Sequence, residues 1–272
     1  MSKIIAIANQ KGGVGKTTTA INLGAALYTN KKKVLLVDCD PQGSLTKALG
    51  FQYKKDYEFS LAHIMQGQIQ NDEVNIEKII LTHSEGLDVI PSNITLSGME
   101  INLSSVMARE QVLRNCLIPI KDKYDYIFLD SCPSLGILAI NTLAAANSVL
   151  IPVEASPLPT EGLSLLLQTI KNVKQYINPS LEIEGILITL IDDRTNLSKK
   201  IQKELRMEYG QRIKVYDQTI PRNVKAAEAT GLGQSVCHYD SKSSAALAYY
   251  RLSKEMINVE KNIERYKNQR LR

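Results

Sequence analysis

The chain has 272 residues, of which 44% are hydrophobic and 22% charged, and its formal net charge is +5. These proportions are ordinary for a water-soluble globular protein, and no apolar run is long enough to cross a bilayer. The four cysteines form no Cys-x-x-Cys pair and the three histidines are scattered, which favours a reduced, cytoplasmic protein without a metal cluster. Because a predicted strand begins almost at the N-terminus, we expect no signal peptide.

Short apolar runs alternate along the chain with segments of helical periodicity. The runs predict strands at 3–8, 34–37, 87–90, 126–129, 148–153 and 186–191. The periodic segments predict helices at 17–29, 109–118, 136–146, 162–176, 198–209 and about 243–267, and the irregular stretch 51–75 predicts only short helices over one edge. Strands that read as buried on both faces and are joined by helices predict an α/β fold, with a mostly parallel twisted sheet flanked by helices on both faces. We expect a single domain over 1–272.

The last predicted helix combines an apolar stripe with a basic surface. The stripe predicts that the helix docks onto the core; it consists of Leu252, Met256, Val259 and Ile263. From residue 242 to residue 272 there are eight basic and three acidic side chains, so this segment carries a charge of +5, equal to the whole excess. The basic surface is either a solvated helix face or a contact for an acidic polymer.

A glycine-rich loop lies between the first predicted strand and the first predicted helix. It reads Gln10-Lys11-Gly12-Gly13-Val14-Gly15-Lys16-Thr17-Thr18. Three glycines let backbone N–H groups approach a polyphosphate, and the start of a helix adds partial positive charge. We expect Lys16 to neutralise the outer phosphates and Thr17 to bind Mg²⁺, as in a nucleoside triphosphate site of the P-loop type. The loop departs from the standard pattern in having Gln10 where a glycine is usual and a second lysine, Lys11.

Carboxylates follow two of the predicted strands. Asp38 and Asp40 are two residues apart at the end of the second strand, so their side chains are expected on the same face. Asp130 ends the strand 126–129, which is the pattern of a Walker B strand whose carboxylate holds Mg²⁺, commonly through water. Because open α/β sheets bind ligands at the carboxyl ends of their strands, we expect these carboxylates to meet the glycine-rich loop.

These motifs resemble the ParA/Soj family of DNA-partitioning ATPases, the P-loop NTPases with a deviant Walker A motif that also include MinD. Six segments in the family's order carry the resemblance, from the N-terminus to about residue 230. They are KGGVGKTTT at 11–19, VDCDPQG at 37–43, DSCPSLG at 130–136, EGL at 161–163, DRTNL at 193–197 and IPRNVK at 220–225.

The resemblance implies a site for ATP and Mg²⁺ and assigns roles in catalysis. Lys11 is expected to reach the phosphates of the partner subunit in an ATP-sandwiched dimer, and Lys16 those of its own subunit. Asp40 is expected to position the attacking water, and Asp38 to lie near Mg²⁺ and the phosphates. The metal ligands are then Thr17, Asp130 and Asp38, and the phosphate contacts are Lys11, Gly12, Gly13, Val14, Gly15, Lys16, Thr17 and Thr18.

The resemblance also implies contacts to the base and to DNA. The adenine is expected at Pro221, Arg222 and Asn223, where the Asn223 amide can both donate and accept hydrogen bonds. Arg194 and Lys225 match the family's two basic positions for non-specific binding of double-stranded DNA. The second position is usually arginine, and a lysine there keeps the charge that phosphate contacts need while losing the planar fork.

The implied partners are DNA, a ParB-like protein bound to a centromere-like site, and a second copy of the chain. Hydrolysis is expected to be slow without the ParB-like partner and DNA, and the protein to be cytoplasmic and nucleoid-associated. We expect no N-terminal operator-binding domain and no membrane partner, since the C-terminus lacks an apolar face. The alternatives are an ATPase that positions a protein cargo, a MinD-like membrane regulator, and a nitrogenase-iron-protein-type reductase, for which Cys132 has no evident second ligand.

Overall fold

A computed structural model describes residues 2–156, 160–192 and 194–270, and the side chains of 160–161 and 260–270 fall outside that description. The strands are β1 (Lys3–Ile7), β2 (Val34–Cys39), β3 (Leu81–Thr82), β4 (Asp88–Ile90), β5 (Tyr126–Ser131), β6 (Ser148–Glu154) and β7 (Glu182–Thr189). The helices are α1 (Lys16–Thr29), α2 (Ser44–Ala48), α3 (Leu61–Gln70), α4 (Gly98–Leu103), α5 (Val112–Leu117), α6 (Ile137–Ala145), α7 (Thr160–Tyr176), α8 (Asn196–Tyr209), α9 (Val224–Gly231), α10 (Val236–Tyr239) and α11 (Ser244–Arg270).

Within the described residues, seven strands form one sheet in the order β3-β4-β2-β5-β1-β6-β7. Every neighbouring pair is parallel except β3 and β4, which are antiparallel. The predicted α/β fold with a mostly parallel sheet is therefore confirmed. Since β1, β2, β5 and β6 run in the same direction, the loops that follow them emerge at one edge, which we call the carboxyl edge.

Helices cover both faces of the sheet because the central strands are apolar on both sides. Ala6 and Ile127 point to a core shared with α3, α5, α6 and α7. Ile7 and Phe128 point to a second core shared with α1, α10 and α11. Side chains alternate between the two cores along each strand, as the period of two in a strand requires. Continuous apolar runs are the sequence pattern of such doubly covered strands.

The long C-terminal helix α11 packs along α1. Leu252 and Met256 are completely buried, so the predicted docking stripe is confirmed over this part of the helix. Val259 is only half-buried. The Ile263 side chain and all of the basic side chains after Val259 lie outside the described residues. No helix within the described part of the chain is long and apolar enough to cross a membrane.

The predicted and observed elements differ mainly where apolar periodicity is weak. Strand β7 begins at Glu182, four residues before the predicted start, because the buried carboxylate of Glu184 is bonded by Lys3 and Ser148 and the charge therefore does not end the strand. The predicted helix 109–118 is a 3₁₀ turn at Arg109–Gln111 followed by α5. The two-residue strand β3 and the short helices α2, α4, α9 and α10 were not predicted.

Candidate nucleotide site

The glycine-rich loop connects β1 to α1 at the carboxyl edge. Gly13 and Gly15 have φ values of +75° and +85°, a left-handed conformation that a Cβ atom disfavours. Val14 is completely buried, and its carbonyl accepts a hydrogen bond of 2.8 Å from the Thr189 hydroxyl. Among the described residues no side chain caps the N-terminus of α1. The first amides of α1 therefore remain available to an anion.

Lys16, the first residue of α1, places its ammonium inside this loop. The residue is only 7% exposed, and Nζ donates to the carbonyl of Lys11 at 3.2 Å. Burial lowers the pKa of Lys16, whereas the charges of Asp130 and Asp40 raise it. A buried ammonium whose one hydrogen-bond partner among the described residues is a carbonyl is well suited to an incoming phosphate.

Asp130 lies beside Thr17, at the end of β5. The Thr17 hydroxyl donates to Asp130 Oδ2 at 2.7 Å. The other oxygen, Oδ1, is buried and finds no hydrogen-bond partner among the residues that the structure describes. Burial first, and the nearby Asp38 charge second, raise the pKa of Asp130 to about 8. An orphaned carboxylate oxygen next to a threonine hydroxyl is a donor set that fits Mg²⁺.

Asp38 sits opposite Asp130 in the sheet, since the two are register partners in β2 and β5. Its Oδ2 accepts hydrogen bonds from the amide and the hydroxyl of Thr46, at 2.8 and 2.7 Å. Its Oδ1 accepts from the Asp40 amide at 3.2 Å. Burial raises the pKa of Asp38 to about 6 against the opposing effect of these bonds. The Asp38 carboxylate is thus bonded to α2 and to Asp40, and its expected role near Mg²⁺ stays a prediction.

Asp40 is half-buried and lies closer to the open side of the site than Asp38. Its Oδ1 accepts a hydrogen bond of 2.9 Å from the Gln42 amide. The Asp40 carboxylate lies near enough to Lys16 for its charge to raise the pKa of that lysine. The expected role of Asp40 in orienting a water molecule near the outer phosphate stays a prediction.

The second lysine of the loop, Lys11, is held by the end of β6. Its ammonium lies 2.7 Å from Glu154 Oε2 and 3.0 Å from the Ser156 hydroxyl. Arg222 binds the other oxygen of Glu154 at 3.2 Å. Glu154 therefore joins the phosphate loop to the loop expected at the adenine. We did not predict Glu154 from the sequence, although its position at the carboxyl end of a strand was a usable signal.

A cavity of about 390 Å³ lies next to the phosphate loop. Its lining includes Gly15, Thr18, Pro221, Arg222, Asn223 and Tyr249. It has room for a nucleobase within reach of the phosphate site. The Asn223 amide is largely engaged, because Oδ1 caps α9 through the Lys225 amide and Nδ2 donates to Ser244. The adenine contact expected at Asn223 stays a prediction, and the side chain that would make it also holds α9 and Ser244.

Of the two residues expected to contact DNA, Arg194 lies in the loop after β7 and Lys225 in the first turn of α9. The segments after β7 and before α9 are joined by backbone hydrogen bonds between Ile191 and its neighbours Ile220 and Arg222. Arg194 is exposed and makes two hydrogen bonds of 2.8 Å to the carboxylate of Asp192. Lys225 is exposed and lies 2.9 Å from Glu228. Asp193 and the Glu161 side chain, which contribute to the family motifs, lie outside the described part of the chain.

Comparisons with known proteins agree with this geometry. The family model described as an AAA domain matches residues 2–183. The sporulation initiation inhibitor protein Soj of Bacillus subtilis is 47% identical over 256 residues, covering 94% of this chain and 98% of that protein. The chain belongs to the ParA/Soj family of partition ATPases. Another ParA/Soj relative, the chromosome partitioning protein ParA of Caulobacter vibrioides, is 40% identical over 262 residues, 96% of each chain.

A solved structure extends the similarity to three dimensions. The structure named cobyrinic acid a,c-diamide synthase from Mycobacterium smegmatis, with a bound ATP analog and magnesium, superposes with a TM-score of 0.83. It is 34% identical to this ParA/Soj chain, and the match covers 96% of both chains. The two chains therefore share one fold over nearly their whole lengths.

Proposed function

We propose that this protein is an ATP-dependent DNA-partitioning ATPase that converts ATP and water into ADP and phosphate and segregates plasmid or chromosomal DNA. ATP and Mg²⁺ are its cofactors. The proposal is supported most by one combination. A lysine-bearing phosphate loop lies beside a buried carboxylate, one oxygen of which has no partner among the described residues, in a chain 47% identical to Soj over nearly its full length.

The residues at the carboxyl edge divide the work of binding and hydrolysis. The glycine-rich loop and Lys16 bind the phosphates, and Thr17 and Asp130 hold Mg²⁺, which neutralises charge on the outer phosphates. Asp40 orients the attacking water. Phosphoryl transfer needs positioning and electrostatic stabilisation more than a strong base, so a half-buried aspartate suffices. The base occupies the cavity beside Pro221.

Lys11 gives the site its dependence on a second subunit. Its ammonium is bound to Glu154, 44% of its side chain is exposed, and Lys16 already occupies the phosphate loop. Lys11 is therefore available to the phosphates of a partner subunit in an ATP-sandwiched homodimer. A cation supplied across an interface stabilises transition-state charge and couples hydrolysis to assembly.

The dimer then binds double-stranded DNA through Arg194 and Lys225, without sequence preference. Each contributes a phosphate contact, for which charge is sufficient. A ParB-like protein stimulates hydrolysis and releases the dimer from the nucleoid. ATP binding, dimerisation and DNA binding must reinforce one another, because linkage between binding sites is reciprocal.

The Lys11→Ala variant tests the dimer. Its ATP-dependent dimerisation, measured by light scattering, should be lost, while binding of a fluorescent ATP analogue changes by less than about threefold. Lys78→Ala, which removes an exposed lysine from a 3₁₀ turn distant in the chain from the loop, is the matched control. Normal ATP-dependent dimerisation of Lys11→Ala would refute the role of Lys11 in a sandwich dimer.

The Asp40→Ala variant tests the division between binding and turnover. It should bind ATP, dimerise and stay on DNA, while its turnover falls by about 100-fold or more because the attacking water is no longer oriented. The measurement is steady-state phosphate release with DNA present. Loss of ATP binding by folded Asp40→Ala protein would show that the assignment is wrong.

Sedimentation with anionic vesicles tests the alternative of a MinD-like membrane regulator. The vesicles should carry down no protein, and co-sedimentation would favour that alternative.

A further inference from the structure

Four residues at the carboxyl edge form a closed ring of hydrogen bonds behind the water-orienting aspartate. The Ser92 amide donates to the Thr46 hydroxyl at 2.9 Å, and that hydroxyl donates to Asp38 Oδ2 at 2.7 Å. Asp38 Oδ1 accepts from the Asp40 amide at 3.2 Å, and the Asp40 carbonyl accepts from the Ser92 hydroxyl at 2.9 Å. The ring starts and ends at Ser92 and passes through both polar groups of the Asp40 backbone.

We propose that this ring positions Asp40 for hydrolysis, with Thr46 and Ser92 as positioning residues and Asp38 acting through the Asp40 backbone. The inference rests on the proposed ATPase function and deepens it. It assigns to Thr46 and Ser92 a part in the reaction, although neither belongs to the phosphate loop or to the carboxylates of the motif.

Burial makes the ring rigid. Thr46 and Asp38 are completely buried, and Ser92 is 1% exposed. In such an environment each polar group needs its partner, because water does not replace a lost bond. Three separate segments meet here: the end of β2, helix α2 and the loop after β4. A change at Thr46 is therefore transmitted to the Asp40 backbone.

The backbone at Gly43 passes close to the segment that carries Ser92. Gly43 has a φ of +63°, and a Cβ atom there would lie 2.8 Å from the Ser92 carbonyl oxygen. The Gly43 amide donates to the Asp40 carbonyl at 2.9 Å, so that carbonyl accepts two hydrogen bonds. The Tyr57 hydroxyl donates to the Ser92 carbonyl at 2.9 Å and anchors the third segment. Hydrogen bonds thus hold the Asp40 backbone at both its amide and its carbonyl.

The test compares Thr46→Val, which removes the hydroxyl, with Thr46→Ser, which keeps it. In Thr46→Val the kcat for ATP should fall by about tenfold, as expected for a misplaced catalytic group, and the Kd for an ATP analogue should stay within about twofold. Thr46→Ser should restore most of the kcat. Ser92→Ala should give a smaller loss of kcat and supplies a second variant. Thr142→Val is the matched control, since Thr142 is 1% exposed and its hydroxyl donates to a helix carbonyl.

Two further measurements separate positioning from general destabilisation. In an Asp40→Ala background, Thr46→Val should cause no further loss of kcat, because the residue that the ring positions is absent. Hydrogen exchange at the Asp40 amide should accelerate at least tenfold in Thr46→Val but not in Thr46→Ser, and this measurement does not require activity. Equal kcat values for the wild type, Thr46→Val and Ser92→Ala would overturn the inference, as would unchanged exchange in both Thr46→Val and Ser92→Ala. Failure of the wild type to hydrolyse ATP would instead overturn the proposed function, and exchange at Asp40 would still decide whether the ring exists.

Discussion

The charged residues at the nucleotide site and those on the proposed DNA surface are arranged in opposite ways. Lys16, Asp38 and Asp130 are buried, and Asp130 carries an oxygen with no partner among the described residues. On the proposed DNA surface, Arg194 and Lys225 are exposed and each is already paired with a carboxylate. Burying a charge without full compensation costs several kcal/mol, whereas exposed pairs are worth little. The first arrangement therefore depends on a ligand, and the second is stable without one.

The largest effect is expected from removing the buried ammonium. Lys16→Gln should weaken ATP binding by about 100-fold or more, because a desolvated charge pair with phosphate is lost. Titration of a fluorescent ATP analogue measures this, with Lys78→Gln as the control that changes only an exposed lysine. A loss smaller than threefold would mean that the buried charge of Lys16 contributes no more to ligand binding than an exposed charge does.

A second effect concerns the pH dependence of stability without Mg²⁺. The pKa of Asp130 is raised to about 8 by burial, above its value in the unfolded chain. Between about pH 4 and pH 8 the unfolded state loses this proton first, so the free energy of unfolding falls as the pH rises through that window. Asp130→Asn should remove the part of this decline that Asp130 causes, which is on the order of 5 kcal/mol at pH 8. The smaller decline below about pH 6, caused by the raised pKa of Asp38, should remain.

Urea denaturation at pH 5 and pH 8 measures the effect on Asp130. Mg²⁺ with an ATP analogue should restore stability to the wild type at pH 8 and much less to Asp130→Asn. If the wild type and Asp130→Asn lost the same stability between the two pH values, the decline would have to be assigned to another buried group.

The DNA surface should respond more weakly and through salt. Arg194→Ala and Lys225→Ala should each weaken binding to all DNA sequences alike by about tenfold at low salt. Each should reduce the slope of log K against log salt by about 0.9, the value for one phosphate contact. Fluorescence anisotropy over a salt series checks both quantities. Loss confined to one DNA sequence would contradict a phosphate contact.

The smallest effect is expected at the partner of Arg194. Hydrogen bonds from Arg194 lower the pKa of Asp192 to about 2, so Asp192 stays ionised and competes with DNA for the guanidinium. Asp192→Asn should strengthen DNA binding by about threefold at low salt, with an unchanged Tm, since the pair is exposed. Asp72→Asn, an exposed carboxylate after α3, serves as the control. Weaker DNA binding by Asp192→Asn would mean that Asp192 orients Arg194 rather than competing for it.

Much of the fold and of the phosphate site was readable from local sequence. Each of the six predicted strands is present, because a strand covered on both faces has a continuous apolar run. The glycine-rich loop specifies its own conformation, since Gly13 and Gly15 need positive φ values. Apolar patterns did not predict the two-residue strand β3 or the part of β7 that contains Glu184. The first depends on pairing with a neighbouring strand, and the second on side chains from other segments that bind the carboxylate.

The sequence by itself determined that the chain forms a parallel α/β sheet with a triphosphate loop and carboxylates at its carboxyl edge, because apolar periodicity, glycines and strand ends are local features. Only the tertiary structure decided what each polar group faces. In the folded chain Asp38 accepts a hydrogen bond from Thr46, Asn223 donates one to Ser244, and Lys11 forms a salt bridge with Glu154. These contacts join residues from separate segments, up to 143 positions apart for Lys11 and Glu154. Burial and hydrogen bonding between distant segments, rather than spacing along the chain, set the role of each charge.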